Sequence, residues 1–172
     1  MDIIIYEDYK NIYKNLNGHD LTDALISKAV GECVVGVCDF SVVRSPKGKP
    51  LITGVTNNQI HVSVSHCLDT FACIISDFNC GLDIQNPRDI NYLKIAERFY
   101  DALEIKYVKK NGKEGFYKLW TRKEAYAKYI GTGIIEVLRG TDVLHRDDVT
   151  FDEGKLDNGM YYAICKSRKE CT

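Results

Sequence analysis

The segment "LWTRKEAYAKYIGTG", residues 119–133, carries charged side chains within a helical pattern of apolar residues. At 100° per residue the apolar side chains form one stripe, and Lys123 falls at its centre. Glu124 and Lys128 lie together on the flank of that stripe, so a carboxylate and an ammonium could meet a metal ion and a phosphate there. Alternatively, Lys123 extends its ammonium to solvent and Glu124 forms an ordinary ion pair with Lys128, contributing only a few tenths of a kcal/mol. The stripe consists of Phe116, Leu119, Trp120, Tyr126, Ala127 and Ile130.

A second carboxylate that could do chemistry lies in "CGLDIQ", residues 80–85. In a strand Leu82 and Ile84 share one face, so Asp83 and Gln85 share the other with Gly81. Aspartate is disfavoured inside strands, so Asp83 is either an edge or turn carboxylate or a functional one. Together with Glu124 it could supply two oxygen ligands for Mg²⁺, which takes few protein carboxylates and fills its octahedron with water and substrate phosphates.

Two further segments could bind an anion. In "VSVSHC" the alternation places Ile60, Val62 and Val64 on one face and Ser63 and Ser65 on the other, and His66 follows where the chain turns. "RSPKGKP", residues 44–50, is a basic loop punctuated by proline and glycine. Taken singly, these patterns are also typical of a capped hairpin end and of a solvated loop.

Composition limits the function classes. The chain of 172 residues is 45% hydrophobic and 27% charged, which is typical of one soluble domain. A net charge of −1 gives no general basic field for nucleic acid or an anionic membrane. Neither a secretory signal pattern nor an apolar run of about 18 residues occurs. The seven cysteines form no C-x-x-C pair, so we expect free thiols in a reducing cytoplasm.

The elements that must position these side chains alternate between strands and helices. We predict an opening strand in "DIIIYE", a helix in "DLTDALISKAVGE" with Asp20 as N-cap and Gly31 as its end, and extended chain in "CVVGVCDFSVV". A hairpin joins the "VSVSHC" strand to "FACIIS", and "CGLDIQ" follows as a third strand. Two helices then precede a break at "NGK", the long helix from about 114 to 130, and a final hairpin around "DNG". The pattern predicts one α+β domain over residues 1–172.

Four segments in this order resemble the motifs of the 4′-phosphopantetheinyl transferases, most closely the surfactin-synthetase-type branch: "GKP", "VSVSHC", "GLDIQ" and "LWTRKEAYAKYIGTG". The last segment is the most specific, and it matches the family pattern at Trp120, Lys123, Glu124, Ala125, Lys128, Gly131 and Gly133. The resemblance covers roughly residues 47–133, about half of the chain. It implies transfer of the phosphopantetheine arm of coenzyme A to a serine of an acyl or peptidyl carrier protein, with adenosine 3′,5′-bisphosphate as the second product.

The resemblance also implies roles for single residues. Asp83 and Glu124 bind Mg²⁺ on the coenzyme A diphosphate, and Glu124 is in addition a candidate base for the carrier serine. Lys128 and Ser65 contact the diphosphate. Lys128, Asp83 and Glu124 are therefore the expected catalytic residues.

The remaining cofactor contacts lie nearer the N-terminus and within the apolar stripe. The resemblance implies that His66 and Lys49 hold the 3′-phosphate of coenzyme A. Arg44 lies just upstream in the same loop and is added as a neighbouring cation, although it matches no motif position. We expect the stem of Lys123 to pack in the stripe and its ammonium to reach the ligand or its carboxylates.

This sequence departs from the branch pattern at two positions. Gln85 stands where glutamate is common, so we expect two protein carboxylates on the metal, with Gln85 or water at the third place. Cys67 replaces the serine after the histidine and removes one hydroxyl. The chain is also shorter than is typical, before "GKP" and after "GTG", where contacts to adenine and to the carrier would be expected.

The resemblance further implies a fold of two similar halves, about residues 1–80 and 81–172, related by a pseudo-twofold axis. Each half is a small antiparallel sheet with a packed helix, and the active site lies in the cleft between them. A chain with both halves is expected to act as a monomer. The alternative is a non-catalytic homologue that binds coenzyme A or a carrier protein.

Overall fold

We describe a computed structural model of the chain over residues 3–34, 36, 39–55 and 59–171. The strands are β1 (Ile4–Glu7), β2 (Ser41–Arg44), β3 (Pro50–Thr53), β4 (His61–Cys67), β5 (Thr70–Ser76), β6 (Cys80–Gln85), β7 (Val149–Lys155) and β8 (Tyr161–Ser167). The helices are α1 (Gly18–Cys33), α2 (Tyr92–Phe99), α3 (Ala102–Ile130) and α4 (Ile134–Leu138), with 3-10 turns at Tyr9–Asn11 and Arg168–Cys171.

The strands form two three-stranded antiparallel sheets and one hairpin. The first sheet has the order β1-β5-β4, the second has the order β6-β8-β7, and β2 pairs with β3. In both sheets the earliest strand pairs with the last, which then pairs with the strand preceding it. The α+β class with small antiparallel sheets is therefore confirmed.

Apolar alternation explains how the sheets and helices pack. On β5, Phe71 and Cys73 belong to a core with α1, whereas Ala72 and Ile74 belong to a core with Leu82 of β6. A third core joins α2, α3 and the opposite face of the second sheet. Because successive strand residues face opposite ways, each sheet can have one face on its helix and the other on its fellow sheet.

α3 is a long helix with one break. Gly112 has φ 63° and ψ −147°, far from helical values, and divides it into arms 102–111 and 113–130. Glycine tolerates this backbone because it has no Cβ. An unbroken helix would separate Glu104 from Lys123 by about 28 Å, yet their side-chain charges lie 2.8 Å apart. The arms therefore fold back on each other, and the break predicted at "NGK" is confirmed.

The hairpins and the opening strand were predicted correctly, except that β4 continues through His66 to Cys67 instead of turning at His66. The ends of α1 were not predicted correctly. The helix begins at Gly18 after Asn17 rather than at Asp20, and it continues through Gly31 to Cys33. Gly31 does not end the helix, since the amide of Val34 still donates to the Val30 carbonyl at 2.9 Å. Residues 35, 37 and 38 of the predicted extended segment "CVVGVCDFSVV" lie outside the described residues. Among its described residues, those from Ser41 onward form a strand.

The sequence predicts that the chain has no membrane-spanning segment and that its cysteines are free thiols. Within the described residues, no helix combines the length and apolarity required to cross a bilayer. The described cysteines Cys33, Cys67, Cys73, Cys80 and Cys165 are free thiols. Burial raises the pKa of the Cys80 thiol to about 11, so this thiol stays protonated at neutral pH.

Candidate functional site

Asp83 is a buried carboxylate on β6, with 2% of its surface exposed. Its Oδ1 atom accepts hydrogen bonds from Ser65 Oγ at 2.8 Å and from Lys128 Nζ at 2.9 Å. Its Oδ2 atom lies 3.3 Å from Nε2 of Gln85. Residues from β4, β6 and α3 therefore meet at this one carboxylate, and Asp83 is not a solvated edge residue.

A close contact between backbones brings α3 onto β6. A Cβ atom at Gly81 would lie 1.9 Å from the carbonyl oxygen of Ala125 and 2.5 Å from the amide nitrogen of Tyr129. Only glycine allows this approach, and it brings the second arm of α3 over the strand face that carries Asp83. The predicted face is thus confirmed, and the helix that covers it explains why it is buried.

The serines of β4 hold the edge of β6. Ser63 Oγ accepts the amide of Leu82 at 2.8 Å, and Ser65 Oγ accepts the amide of Ile84 at 3.2 Å. Side-chain oxygens thus replace the backbone partner that this edge of β6 lacks within its own sheet. The predicted polar face of β4 is confirmed, and Ser63 is an additional residue of the junction that motif matching did not select.

Glu124 lies on the second arm of α3, one turn before Lys128. Burial raises the pKa of Glu124 to about 7, repulsion by Asp83 adds to this, and Lys128 opposes it. The two carboxylates predicted to share an ion are therefore close enough to repel each other. Asp83 and Glu124 are 41 positions apart in the sequence, so the tertiary fold brings them close together.

Lys128 does not form the surface ion pair considered from the sequence. Its ammonium instead lies 2.9 Å from Asp83 Oδ1 and 2.9 Å from the backbone carbonyl of Leu82. It also lines a cavity of about 220 Å³ together with Lys49, Arg44, Ser63 and Thr132. Lys47, Gly48, Pro50, Val64 and Gly131 complete the wall. Several lysine and arginine side chains around one small cavity suit a phosphate-bearing ligand.

Lys49 is tied to the junction between the sheets. Its ammonium lies 2.7 Å from Asn79 Oδ1, and 3.4 Å from the carbonyls of both Cys80 and Tyr129. Burial lowers the pKa of Lys49. Asn79 also donates to the Tyr129 carbonyl at 2.8 Å, so it links Lys49 to the C-terminal end of α3. The sequence did not indicate a role for Asn79, because asparagine is common in turns and its presence there carries no functional signal.

His66 lies at the other end of β4 from Lys49. The charge of Lys49 acts on His61, which is five strand residues, or about 17 Å, from His66. The His66 ring is exposed and lies 6.0 Å from the ring of Tyr9. Partial desolvation and the charges of Lys128 and Lys10 lower the pKa of His66. The structure thus groups His66 with Lys128, and it does not bring His66 and Lys49 together.

Arg44 is engaged with neighbouring protein groups. Its guanidinium forms an ion pair with Asp23, donates to Thr22 Oγ1 at 2.8 Å, and donates to the Gly48 carbonyl at 3.2 Å. These bonds fix the turn between β2 and β3 against α1. Arg44 therefore lines the cavity as a partly neutralised cation.

Lys123 is paired inside the protein with Glu104, which corrects the prediction that its ammonium reaches the ligand or the carboxylates that bind it. Its side chain is 1% exposed, and the ammonium lies 2.8 Å from Glu104 Oε2 and 2.6 Å from the Thr141 carbonyl. The periodicity correctly placed Lys123 on the buried face of the helix, although Ile130, at the end of the predicted stripe, is 43% exposed. It did not reveal that Lys123 forms an ion pair with Glu104, a buried carboxylate on the first arm of α3.

A second acidic group lies beside that ion pair. Carboxylate oxygens of Asp101, Glu104 and Asp142 lie within 4.8 Å of one another. Glu104 is already paired with Lys123, and Asp101 caps the first arm by accepting the Glu104 amide at 2.8 Å. Asp142 accepts the Leu144 amide at 2.7 Å. These three carboxylates therefore have structural partners that account for their positions.

The sequence is also similar to that of known proteins. The sequence model of the 4′-phosphopantetheinyl transferase superfamily matches residues 79–166, just over half of the chain. The chain is 30% identical over 135 residues to the 4′-phosphopantetheinyl transferase gsp of Aneurinibacillus migulanus, covering 75% of this chain and 53% of that protein. It is 27% identical over 143 residues to the 4′-phosphopantetheinyl transferase Sfp of Bacillus subtilis (strain 168), covering 80% and 61%. The chain thus spans between half and two thirds of the length of these relatives.

Proposed function

The chain belongs to the 4′-phosphopantetheinyl transferase superfamily, and from this membership we propose that it transfers the phosphopantetheine arm of coenzyme A to a carrier-protein serine. The products would be the holo-carrier and adenosine 3′,5′-bisphosphate. The observation that carries this proposal is the convergence of Asp83, Glu124, Lys128 and Ser65 from three separate elements. They meet beside a cavity with several basic side chains, which suits the diphosphate of coenzyme A.

Asp83 and Glu124 would hold Mg²⁺, with Gln85 or water at a third position. Their chemistry fits this ion, because two hard oxygen donors that repel each other are stabilised by a divalent cation between them. The bound ion would supply charge neutralisation for the diphosphate. Lys128, which lines the cavity and contacts Asp83, would add a second positive charge toward the departing bisphosphate.

The reaction itself requires positioning and one proton transfer. The serine oxygen forms a bond to the phosphorus that carries pantetheine, and the bond from that phosphorus to the bisphosphate oxygen breaks. The serine hydroxyl is a poor nucleophile at neutral pH, so a base must take its proton. Glu124 is our candidate, since it is a carboxylate that would lie next to the metal ion and the diphosphate, where the serine hydroxyl must approach.

Other residues would bind more distant parts of coenzyme A. Ser65 and Lys128 would contact the diphosphate, and Lys49 and Arg44 would contribute positive charge on the cavity wall. Since His66 and Lys49 lie toward opposite ends of β4, we assign the 3′-phosphate to only one of them. Substituting each separately, with dephospho-coenzyme A as a comparison substrate, identifies which one recognises that phosphate.

We also propose that residues 1–80 and 81–172 are two halves related by a pseudo-twofold axis, with the active site in the cleft between them. The shared strand order of the two sheets supports this, as does the packing of one long helix on each sheet. The site draws Ser65 from one half and Asp83 from the other, so one chain carries both contributions. We therefore propose a monomeric enzyme, and the free thiols of the described cysteines support a reducing, cytoplasmic environment for it.

A mass assay tests the proposed activity. Purified protein is incubated with Mg²⁺, coenzyme A and apo carriers from fatty-acid, polyketide and peptide synthesis, and each carrier is weighed by mass spectrometry. We expect at least one carrier to gain one phosphopantetheine. If none does, although the Bacillus subtilis relative modifies the same samples, catalysis is refuted.

Calorimetry separates the enzyme from a non-catalytic homologue that only binds coenzyme A or a carrier. An enzyme should bind coenzyme A more tightly with Mg²⁺ than without, and Glu124→Gln should remove that gain. Equal affinity under both conditions favours the binding homologue.

A further inference from the structure

The buried ion pair between Glu104 and Lys123 lies outside the site that we assign to coenzyme A. Both side chains are buried, with 0% and 1% exposed, and their charged atoms lie 2.8 Å apart. The pair joins the two arms of α3, since Glu104 lies on the first arm and Lys123 on the second. It therefore joins the start of the first arm to the middle of the second arm.

Further bonds fix this pair on all sides. Lys123 Nζ donates to the Thr141 carbonyl at 2.6 Å and lies 5.3 Å from the centre of the Tyr100 ring. Glu104 Oε1 accepts the Val143 amide at 3.2 Å. The ion pair thus holds three segments together: both arms of α3 and the chain that returns from α4 toward β7.

Such a pair is better suited to fixing a geometry than to adding stability. Removing two charges from water costs much of what their attraction returns, and well-packed apolar residues often stabilise as well or better. Apolar side chains, however, can slide or rotate against each other, whereas directed hydrogen bonds define one arrangement. The second arm of α3 also carries Glu124, the residue that directly follows Lys123.

We infer that the Glu104–Lys123 pair is a positioning device for the candidate metal site, and that Lys123 does not touch coenzyme A. The ion pair sets the rotation of the second arm about its axis and its position along the first arm. On the other side, the contact between Gly81 and Ala125 sets the distance of the second arm from β6. Together these two contacts hold Glu124 and Lys128 against Asp83. The expected effect on catalysis rests on the proposed function. The expected effect on metal binding does not, because it can be measured without any transfer reaction.

The test uses the full chain with both charges replaced, Glu104→Leu with Lys123→Met, and a milder single variant, Glu104→Gln. Binding of Mn²⁺ to the protein without coenzyme A is measured by calorimetry or by electron paramagnetic resonance. Circular dichroism and thermal unfolding check that each variant is folded. We expect the double variant to fold and to bind Mn²⁺ at least 5-fold more weakly, and Glu104→Gln to show a smaller loss.

Kinetics and ligand binding separate positioning from direct contact. We expect kcat of the double variant to fall at least 10-fold, while its affinity for coenzyme A measured in EDTA stays within 2-fold of the unsubstituted protein. A 10-fold loss of metal-free coenzyme A affinity would instead make Lys123 a ligand contact. Unchanged Mn²⁺ affinity and kcat in a folded double variant would overturn the inference.

The test stays decisive if the double variant does not fold or if the protein shows no transfer activity. If the double variant does not fold, Glu104→Gln decides, and wild-type Mn²⁺ affinity together with wild-type kcat in that folded variant overturns the inference. If the unsubstituted protein transfers nothing to any carrier, the proposed function fails. The Mn²⁺ comparison then still reports whether the ion pair positions the two carboxylates.

Discussion

Gly81 lies directly against Ala125, so close that a Cβ atom at position 81 would reach within 1.9 Å of the Ala125 carbonyl oxygen. This contact between a strand and a helix, 44 positions apart in the sequence, is what places Glu124 and Lys128 beside Asp83. The candidate site therefore depends on the absence of a single methyl group.

Gly81→Ala should destabilise the protein strongly, because the new methyl group meets backbone atoms that cannot rotate away. We expect a loss of about 3–5 kcal/mol in the free energy of unfolding, measured by urea denaturation. Gly31→Ala is the control, since Gly31 has nothing within 4 Å of its Cβ position and lies within α1. The control should be stabilised by up to about 1 kcal/mol. Equal stability of the two variants would contradict the close contact.

Asp83→Asn should abolish metal-dependent transfer while keeping the shape of the side chain. The amide cannot offer a charged oxygen to a divalent ion, and it leaves Lys128 without its anionic partner. We expect kcat/KM to fall at least about 100-fold, since a charge is removed where several interactions converge. Asp157→Asn, in the exposed turn between β7 and β8, is the matched control. Retained activity in Asp83→Asn would remove this residue from the metal site.

Gln85→Glu should strengthen metal binding, because it adds a third carboxylate at the place where Gln85 lies 3.3 Å from Asp83 Oδ2. We expect the Mg²⁺ concentration for half-maximal activity to fall about 3- to 10-fold. Gln85→Ala should not produce this gain. If Gln85→Glu needs as much Mg²⁺ as the unsubstituted protein, Gln85 lies outside the reach of the ion.

Glu124 should make the metal-free protein less stable as the pH rises. Its pKa is raised from 4.5 to about 7 in the folded state, so between these values the folded protein binds more protons than the unfolded chain. By linkage, this group's stabilisation is fully present below about 4.5 and is lost as the pH rises through 7.

Urea denaturation of the unsubstituted protein and of Glu124→Gln, both in EDTA at pH 5 and pH 8, measures this effect. We expect the unsubstituted protein to lose about 1–2 kcal/mol more than the variant, an estimate reduced for the partial exposure of Glu124. Titrating groups distant from Glu124 are present in both proteins and cancel in the difference. If the free energy of unfolding changes equally with pH in both proteins, the pKa of Glu124 is not raised in the folded state.

The sequence by itself determined the local elements and the residue types of the candidate site. Period-two alternation identified the faces of β4 and β6, the "NGK" segment predicted the break in α3, and the ordered motifs identified the family. These signals are local, since they depend only on spacing along the chain and on backbone preferences of single residues.

Only the tertiary structure decided which side chains meet. Lys128 is paired with Asp83 rather than with Glu124, and Lys123 is directed to Glu104 rather than to the ligand. Helical periodicity identifies which residues share a face, but it does not identify what packs against that face. Here β6 covers one face of α3's second arm, and the first arm, folded back at Gly112, contributes a carboxylate to another. The partner of each charge follows from that packing, which no local pattern encodes.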